Sequence, residues 1–209
     1  MMMQSAHDLW KQSRQGTLAL IDVRATRAHT NAHVPGSVSA PYSRNGWGRA
    51  VADWLRSQSL TRVGILADNH VVGQAAHEAL RAEAVAVEGV LDGGPPAWEE
   101  AGFPIVSVPD VTADDLARNL RARTVLDVRE PYEWRSGIVP GALTIPMGQL
   151  VRRIGELDKT MRYAVICASG NRSQQAAAYL ADEGFQVENV RGGMALWLAG
   201  RHPVDYPRD

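Results

Sequence analysis

The chain repeats its own sequence once, at an interval of about half its length, and this repeat constrains the fold more than any other feature. The segments of the first half and their counterparts in the second are Leu20-Ile21-Asp22-Val23-Arg24 with Val125-Leu126-Asp127-Val128-Arg129, His33-Val34-Pro35-Gly36-Ser37 with Ile138-Val139-Pro140-Gly141-Ala142, Ala40-Pro41 with Ile145-Pro146, and Gly93-Gly94 with Gly192-Gly193. Repeats of about a hundred residues indicate two domains of one fold, because the repeats of a solenoid are only tens of residues long.

The boundary between the halves is expected near residue 106. The repeated pattern loosens between Phe103-Pro104 and Pro109-Asp110, and a helix start follows at Thr112-Ala113-Asp114-Asp115. We therefore expect one domain over residues 1–106 and a second over residues 107–209.

Short apolar segments alternate with helical segments along the second half. The expected helices are Ala113–Asn119, Leu150–Leu157, Ser173–Glu183 and Gly193–Leu198, and the expected strands are Val125–Val128, Ala142–Ile145, Ala164–Ile166 and Val187–Val190. This alternation predicts an α/β fold in which each domain has a central parallel sheet flanked by helices on both faces. Ligands of such sheets bind at the carboxyl ends of the strands.

The composition excludes several classes of function. The 209 residues are 45% hydrophobic and 22% charged, with a formal net charge of −1, so nothing indicates a nucleic-acid partner or an anionic membrane. No apolar run approaches the length of a membrane span. Met1 to Trp10 lacks a basic stretch followed by an apolar one, so we expect no signal peptide and a cytoplasmic location.

The single cysteine, Cys167, follows the apolar run Ala164-Val165-Ile166 and precedes an alanine-rich segment from Gln174 to Glu183. A lone cysteine is most simply a buried small hydrophobe. This order of segments, however, predicts a strand, a tight loop and a helix, and backbone N–H groups converge at such a corner. An environment of that kind favours a reactive thiolate.

The repeat helps to decide between these interpretations. When the halves are aligned on the strand before the loop, Cys167 pairs with Ala67, Arg172 with Val72 and Ser173 with Gly73. The fold therefore requires neither a thiol nor a guanidinium at this corner. A chemical role is the better explanation for Cys167 and Arg172.

Four motifs occur in order in the second half: Asp127-Val128-Arg129-Glu130-Pro131-Tyr132-Glu133-Trp134, then Gly137-Ile138-Val139-Pro140-Gly141-Ala142, then Cys167-Ala168-Ser169-Gly170-Asn171-Arg172-Ser173, then Gly192-Gly193 with Trp197. Together they resemble the rhodanese homology domain from about Val111 to Pro203. One departure is Ile138, where the family usually has histidine, at a position expected to open a strand away from the thiol. The first half resembles the same domain without its cysteine, as in tandem rhodaneses whose first domain is inactive.

The resemblance implies a sulfurtransferase whose nucleophile is Cys167. Its thiolate would take a sulfane sulfur from a small donor such as thiosulfate, form a persulfide, and pass the sulfur to cyanide or a thiol. The implied substrate-binding residues are those of the loop: Ala168, Ser169, Gly170, Asn171, Arg172 and Ser173. Their N–H groups suit an anion, and the guanidinium of Arg172 is expected to fork onto the oxygens of thiosulfate. Ser173 also suits a helix N-cap.

The supporting residues implied by the resemblance are Asp127, Arg129 and Glu133. We expect Asp127 and Arg129 to brace the loops around the site, whereas Glu133 is either a substrate contact or an exposed loop carboxylate. No cofactor is implied. The histidines show no metal-ligand spacing with the lone cysteine, so we expect no metal site.

Two alternatives stay open. The first is a sulfur carrier, in which a protein rather than a small molecule is the donor or acceptor. The second, a phosphatase or arsenate reductase, is disfavoured because Arg172 gives the spacing Cys-x4-Arg, one residue shorter than the Cys-x5-Arg loop of the related phosphatases. The loop also lacks the extra basic residue expected of a dedicated thiosulfate enzyme, so the donor is not fixed by the sequence.

Overall fold

The computed structural model describes residues 6–206, and its contacts divide the chain into two compact units, Met1–Val106 and Ser107–Asp209. The first five residues, on which the expectation of no signal peptide partly rests, lie outside the described residues. Between residues 6 and 206 no helix has the length and apolar character needed to cross a membrane.

The first unit contains a parallel sheet of four strands with the order β3-β1-β4-β5. The strands of this sheet are β1 (Ala19–Asp22), β3 (Val38–Ser39), β4 (Arg62–Leu66) and β5 (Ala86–Leu91). The short strand β2 (Ala32–His33) lies outside it, and β6 (Val106–Ser107) lies at the division between the units. Its helices are α1 (Ala6–Arg14), α2 (Thr26–Asn31), α3 (Trp47–Ser57), α4 (His70–Ala82) and α5 (Gly94–Glu100).

The second unit contains a parallel sheet of five strands with the order β7-β11-β10-β8-β9. Its strands are β7 (Asp110–Val111), β8 (Thr124–Asp127), β9 (Leu143–Thr144), β10 (Arg162–Ile166) and β11 (Gln186–Val190). Its α-helices are α6 (Ala113–Arg118), α7 (Leu150–Arg153), α8 (Asn171–Asp182) and α9 (Gly193–Ala199), and its 3₁₀ helices are Leu120–Ala122, Pro131–Ser136, Met147–Gln149 and Ile154–Glu156.

Apolar side chains cover both faces of the second sheet, as the pattern predicts for a parallel sheet flanked by helices. Successive residues of β10 point to opposite faces. Val165 packs into one buried cluster with Leu180 of α8, and Ile166 packs into another with Trp197 of α9. The first unit likewise has two buried clusters, so the predicted α/β architecture is confirmed.

Two segments of the second unit differ from the sequence prediction. The helix expected over Leu150–Leu157 is α-helical only to Arg153 and continues as a 3₁₀ turn around Gly155, a residue that disfavours a helix interior. The segment expected to be a loop at Pro131 is a 3₁₀ helix, because Glu130 and Glu133 form a reciprocal cap and proline suits the first helical position.

Candidate active site

Cys167 is the residue that follows the central strand β10, at the edge where the carboxyl ends of the parallel strands meet. Helix α8 begins four residues later, at Asn171, so the thiol lies below the N-terminus of that helix. The alternation of β10 turns the side chain toward the cluster that α8 covers, and only 1% of the residue is exposed. The strand-loop-helix corner predicted from the sequence is therefore present.

The N-terminus of α9 holds the backbone of this loop. The N–H of Met194 donates to the carbonyl of Cys167 at 2.8 Å, and the N–H of Ala195 donates to the carbonyl of Ala168 at 2.9 Å. Gly193 makes this close approach possible, because a Cβ at that position would overlap the carbonyl oxygen of Cys167. With its carbonyls bound on one side, the loop can direct its amides to the other.

Those amides converge on the thiol. The N–H of Gly170 donates to Sγ of Cys167 at 3.1 Å, and Gly170 adopts the positive φ of 95° that glycine tolerates. Burial raises the pKa of the thiol, but hydrogen bonds from the hydroxyl of Ser173 and from the amides of Ser173, Ser169 and Gly170 outweigh it and lower the pKa. A lowered pKa increases the fraction of thiolate, the nucleophilic form.

The hydroxyl of Ser173 is shared between two acceptors. It lies 3.4 Å from Sγ of Cys167 and 2.7 Å from Oδ1 of Asn189, a buried residue of β11. Nδ2 of Asn189 donates to Asp110 at 2.7 Å, which leaves Oδ1 to accept from the hydroxyl. Because a hydroxyl has one proton, Ser173 donates either to Asn189 or to the sulfur at any moment. Sequence reasoning missed Asn189, which lies sixteen residues from Ser173.

This sharing predicts opposite effects of two substitutions on the pKa of the Cys167 thiol. Ser173→Ala removes a donor and should raise that pKa, whereas Asn189→Ala frees the hydroxyl for the sulfur and should lower it. The rate of alkylation by iodoacetamide follows the thiolate, so its midpoint in pH should move up in the first variant and down in the second. Thr160→Val, which removes a hydroxyl bound to Asp158 in an exposed turn, serves as the control and should leave the midpoint in place. A midpoint that rises in Asn189→Ala would contradict the sharing.

The guanidinium of Arg172 is bound by a carboxylate and is not left open to a donor, as the sequence had led us to expect. Its two terminal nitrogens bind the two carboxylate oxygens of Glu133 at 2.7 and 2.6 Å. This contact raises the pKa of Arg172 and lowers the pKa of Glu133. The alternative of an exposed loop carboxylate at Glu133 is therefore wrong, since 17% of its side chain is exposed and both oxygens are engaged.

Asp127 and Arg129 form a buried ion pair that connects β8 to the segment carrying Glu133. Nη2 of Arg129 lies 2.7 Å from Oδ2 of Asp127 and also donates to the carbonyl of Gly137, while Nη1 donates to the carbonyl of Glu133. Asp22 and Arg24 make the same ion pair in the first unit, where the cysteine is absent. A pair that is present with and without the thiol belongs to the architecture rather than to the chemistry.

The corresponding corner of the first unit is closed by its own side chains. Ala67 is fully buried after β4, and Oδ1 of Asn69 accepts the N–H of Val72 as the N-cap of α4. In the second unit, by contrast, Gly170 is the N-cap of α8 and offers no side chain, so the amides there are left to the sulfur. A side chain thus caps the N-terminus of α4, whereas an amide at the N-terminus of α8 binds the thiol.

The remaining predicted loop residues are arranged around this centre. Ser169 and Asn171 are exposed, Ala168 is half-buried with its carbonyl held by α9, and Ser173 is fully buried. Ile138 forms an isolated antiparallel bridge with Asp205 outside the parallel sheet.

The family model of the rhodanese-like domain matches the chain twice, over residues 5–101 and 112–200. These matches cover most of the sequence, and they coincide with the repeat, the two parallel sheets and the loop built on Cys167. The protein therefore belongs to the rhodanese-like family and contains two domains of that family.

Several curated proteins resemble part of the chain. The putative sulfurtransferase YtwF of Bacillus subtilis is 42% identical over 79 residues, which are 38% of this chain and 77% of that protein. The thiosulfate sulfurtransferase GlpE of Pseudomonas syringae is 38% identical over 74 residues, 35% of this chain and 70% of that protein. The putative sulfur carrier protein YrkF of Bacillus subtilis is 34% identical over 95 residues, 44% of this chain and 51% of that protein.

Proposed function

We propose that this protein is a sulfurtransferase in which Cys167 carries a sulfane sulfur as a persulfide. The observation that carries the proposal is the environment of the thiol: it is buried, its pKa is lowered, and amides of Ser169, Gly170 and Ser173 surround it. Such a cradle stabilises an anionic sulfur without a metal or a base in the loop. Relatives named sulfurtransferase support the same assignment.

The proposed reaction has two steps. In the first, the thiolate of Cys167 attacks the outer sulfur of the donor, a new S–S bond forms, and the bond between that sulfur and the rest of the donor breaks with the electron pair leaving on the donor. With thiosulfate the leaving group is sulfite. In the second step, cyanide or a thiolate attacks the outer sulfur of the persulfide, and the thiolate of Cys167 is released.

The roles of the other residues follow from their contacts. Amides of the loop hold the charge of the thiolate and then of the persulfide, and Gly170 supplies the backbone conformation that aims one of them. Ser173 adds a hydroxyl, and we assign Ala168 and Asn171 to the donor-binding loop on their positions in it. Asp127 and Arg129 brace the segment that bears Glu133. The first domain has Ala67 in place of the thiol, and we propose that it is inactive in sulfur transfer.

A reduced thiol is required for this cycle, which fits a cytoplasmic location, where thiols are kept reduced. A protein donor or acceptor is a second candidate, favoured by the likeness to a putative sulfur carrier protein. In that case the persulfide would form, but its discharge to cyanide would be slow and its discharge to a partner protein fast.

The proposal is tested on the full-length protein with a panel of sulfur donors: thiosulfate, 3-mercaptopyruvate and a small organic persulfide. We expect intact-mass spectrometry to detect the addition of one sulfur atom, which peptide mapping assigns to Cys167 and which cyanide removes as thiocyanate. The assignment would fail if every donor left the mass unchanged, or if an aryl phosphate were hydrolysed faster than any donor is turned over.

A further inference from the structure

The net charge beside the loop from Cys167 to Ser173 depends on a side chain from outside that loop. Arg172 is the only basic residue in the stretch from Cys167 to Ser173, so it is the group that would attract an anionic donor. Glu133, thirty-nine residues earlier in the chain, binds both of its terminal nitrogens. The positive charge of the loop is therefore paired before any donor arrives.

Glu133 is held in this position from two sides. Its Oε2 accepts the N–H of Glu130 at 3.0 Å within the cap of the 3₁₀ helix Pro131–Ser136, and its own carbonyl accepts Nη1 of the buried Arg129 at 3.0 Å. The contact with Arg129 fixes the backbone of Glu133, and its carboxylate cannot swing away from Arg172 without breaking the hydrogen bond from the N–H of Glu130. An oxyanion that approached Arg172 would have to compete with an intramolecular partner already in bidentate geometry.

The Coulomb energy between the site and a donor scales with the charge of the donor. A pair of compensated charges gives little attraction to either a singly or a doubly charged donor, and the negative Glu133 repels the doubly charged one more strongly. The uncharged hydrogen-bond donors of the loop, by contrast, need only one anionic sulfur to bind. The single charge of a monoanionic donor can therefore be bound by these N–H and O–H groups, whereas the second charge of a dianion has no cationic partner at the site.

We propose that Glu133 determines donor specificity by charge, so that the site favours donors with a single negative charge, such as organic persulfides and thiosulfonates, over the thiosulfate dianion. The inference rests on the proposed sulfurtransferase function and names its donor class. Both kinds of donor undergo the same step. The thiolate of Cys167 takes the outer sulfur, and the leaving group carries away the electron pair as sulfite from thiosulfate, as a sulfinate from a thiosulfonate or as a thiolate from an organic persulfide.

The experiment compares thiosulfate with benzenethiosulfonate, which carries one charge, in the wild type and in Glu133→Gln. Thiosulfonates differ from thiosulfate in intrinsic reactivity, so the informative quantity is the change in the ratio of the two kcat/KM values between proteins. Removing the negative charge should change the electrostatic energy of the dianion at the site twice as much as that of the monoanion. We therefore expect kcat/KM for thiosulfate, divided by kcat/KM for the thiosulfonate, to rise about tenfold in Glu133→Gln. Glu133→Asp keeps the charge and should keep the wild-type ratio.

A matched control is available in the same unit. Glu156 also binds an arginine, Arg153, through both carboxylate oxygens, at 2.7 and 2.8 Å. It lines a cavity along β9, the outermost strand of the sheet, which β8 separates from β10, the strand that Cys167 follows. Glu156→Gln should therefore leave the ratio unchanged.

The outcomes separate this inference from the function on which it rests. If the wild type forms no persulfide with either donor, the sulfurtransferase proposal fails. If it forms a persulfide but Glu133→Gln leaves the ratio unchanged or lowers it, the charge inference alone is overturned.

A second measurement needs no variant. With Arg172 compensated, kcat/KM of the wild type for thiosulfate should change less than about twofold when the ionic strength is raised through the physiological range. A steep fall with salt would show an uncompensated cation at the site and would overturn the inference.

Discussion

We expect the replacement of Cys167 by serine to abolish the cyanide-labile sulfur that we propose for this protein. The proposed intermediate requires an S–S bond at this position, and a serine oxygen is neither ionised in such a cradle nor able to hold sulfane sulfur. The smaller hydroxyl can still accept the N–H of Gly170, so we expect the variant to fold. After incubation with donor, intact-mass spectrometry should detect no added sulfur on the variant. Thiocyanate release should not exceed that from the donor without protein. Wild-type turnover in Cys167→Ser would exclude a persulfide at this residue.

The internal repeat supplies the control for that experiment. Ala67→Cys, made in the Cys167→Ser background, places a thiol at the equivalent corner of the first domain. There the N–H of Gly73, the counterpart of Ser173, already donates to the carbonyl of Asn69 at 3.1 Å. The side chain of Asn69 takes the N–H of Val72, so the new thiol lacks these donors. We expect it to restore no sulfur transfer, and restored turnover would show that a thiol at this corner suffices without the loop of the second domain.

The second large effect is expected at Gly193. A Cβ there would overlap the carbonyl oxygen of Cys167 and contact the carbonyl group of Ala168, and Gly193 also has a positive φ of 55°. Gly193→Ala should push the loop away from α9 and turn its amides from the sulfur. A displacement of about 1 Å can lower a rate about a hundredfold, and we expect a loss of at least that order in kcat/KM with the preferred donor.

Two other glycines separate this clash from the effect of alanine itself. Gly94 is the counterpart in the first domain, and a Cβ there meets only a carboxylate oxygen of Asp68 at 3.3 Å. Gly141 has a positive φ of 72° and open space around it. Gly94→Ala and Gly141→Ala should each cost about 1 kcal/mol of stability through strain and leave the rate within a few-fold of wild type. Full activity in Gly193→Ala would contradict the proposed support of the loop by α9.

The sequence predicted those features that are local or repeated. The corner at Cys167 follows from an apolar strand, a glycine-bearing loop and an alanine-rich helix that are contiguous in the chain. The repeat predicted two domains of one fold. Because Ala67 occupies the position equivalent to Cys167, the repeat also indicated that the fold itself does not require a thiol there. The double glycine was also visible in both halves, but it served only as a marker of the repeat, because its contact with the loop is not encoded in spacing.

The contacts that set the charge and the protonation of the site were decided by tertiary structure. Glu133 reaches Arg172 across thirty-nine residues, and Asn189 reaches Ser173 across sixteen. The sequence left Glu133 open between two roles and Arg172 free to bind a donor, since the pairing of two side chains depends on which loops the sheet brings to one edge.

The sequence by itself thus determined the family, the duplication and the identity of the thiol, because these are written in residue type and order. Only the packing of α9 and of the segment around Glu133 against the loop decided how the thiol is cradled and how its neighbouring cation is neutralised. The physical reason is that a hydrogen bond or an ion pair depends on distances of a few ångströms, which the folded chain fixes and the order of residues does not.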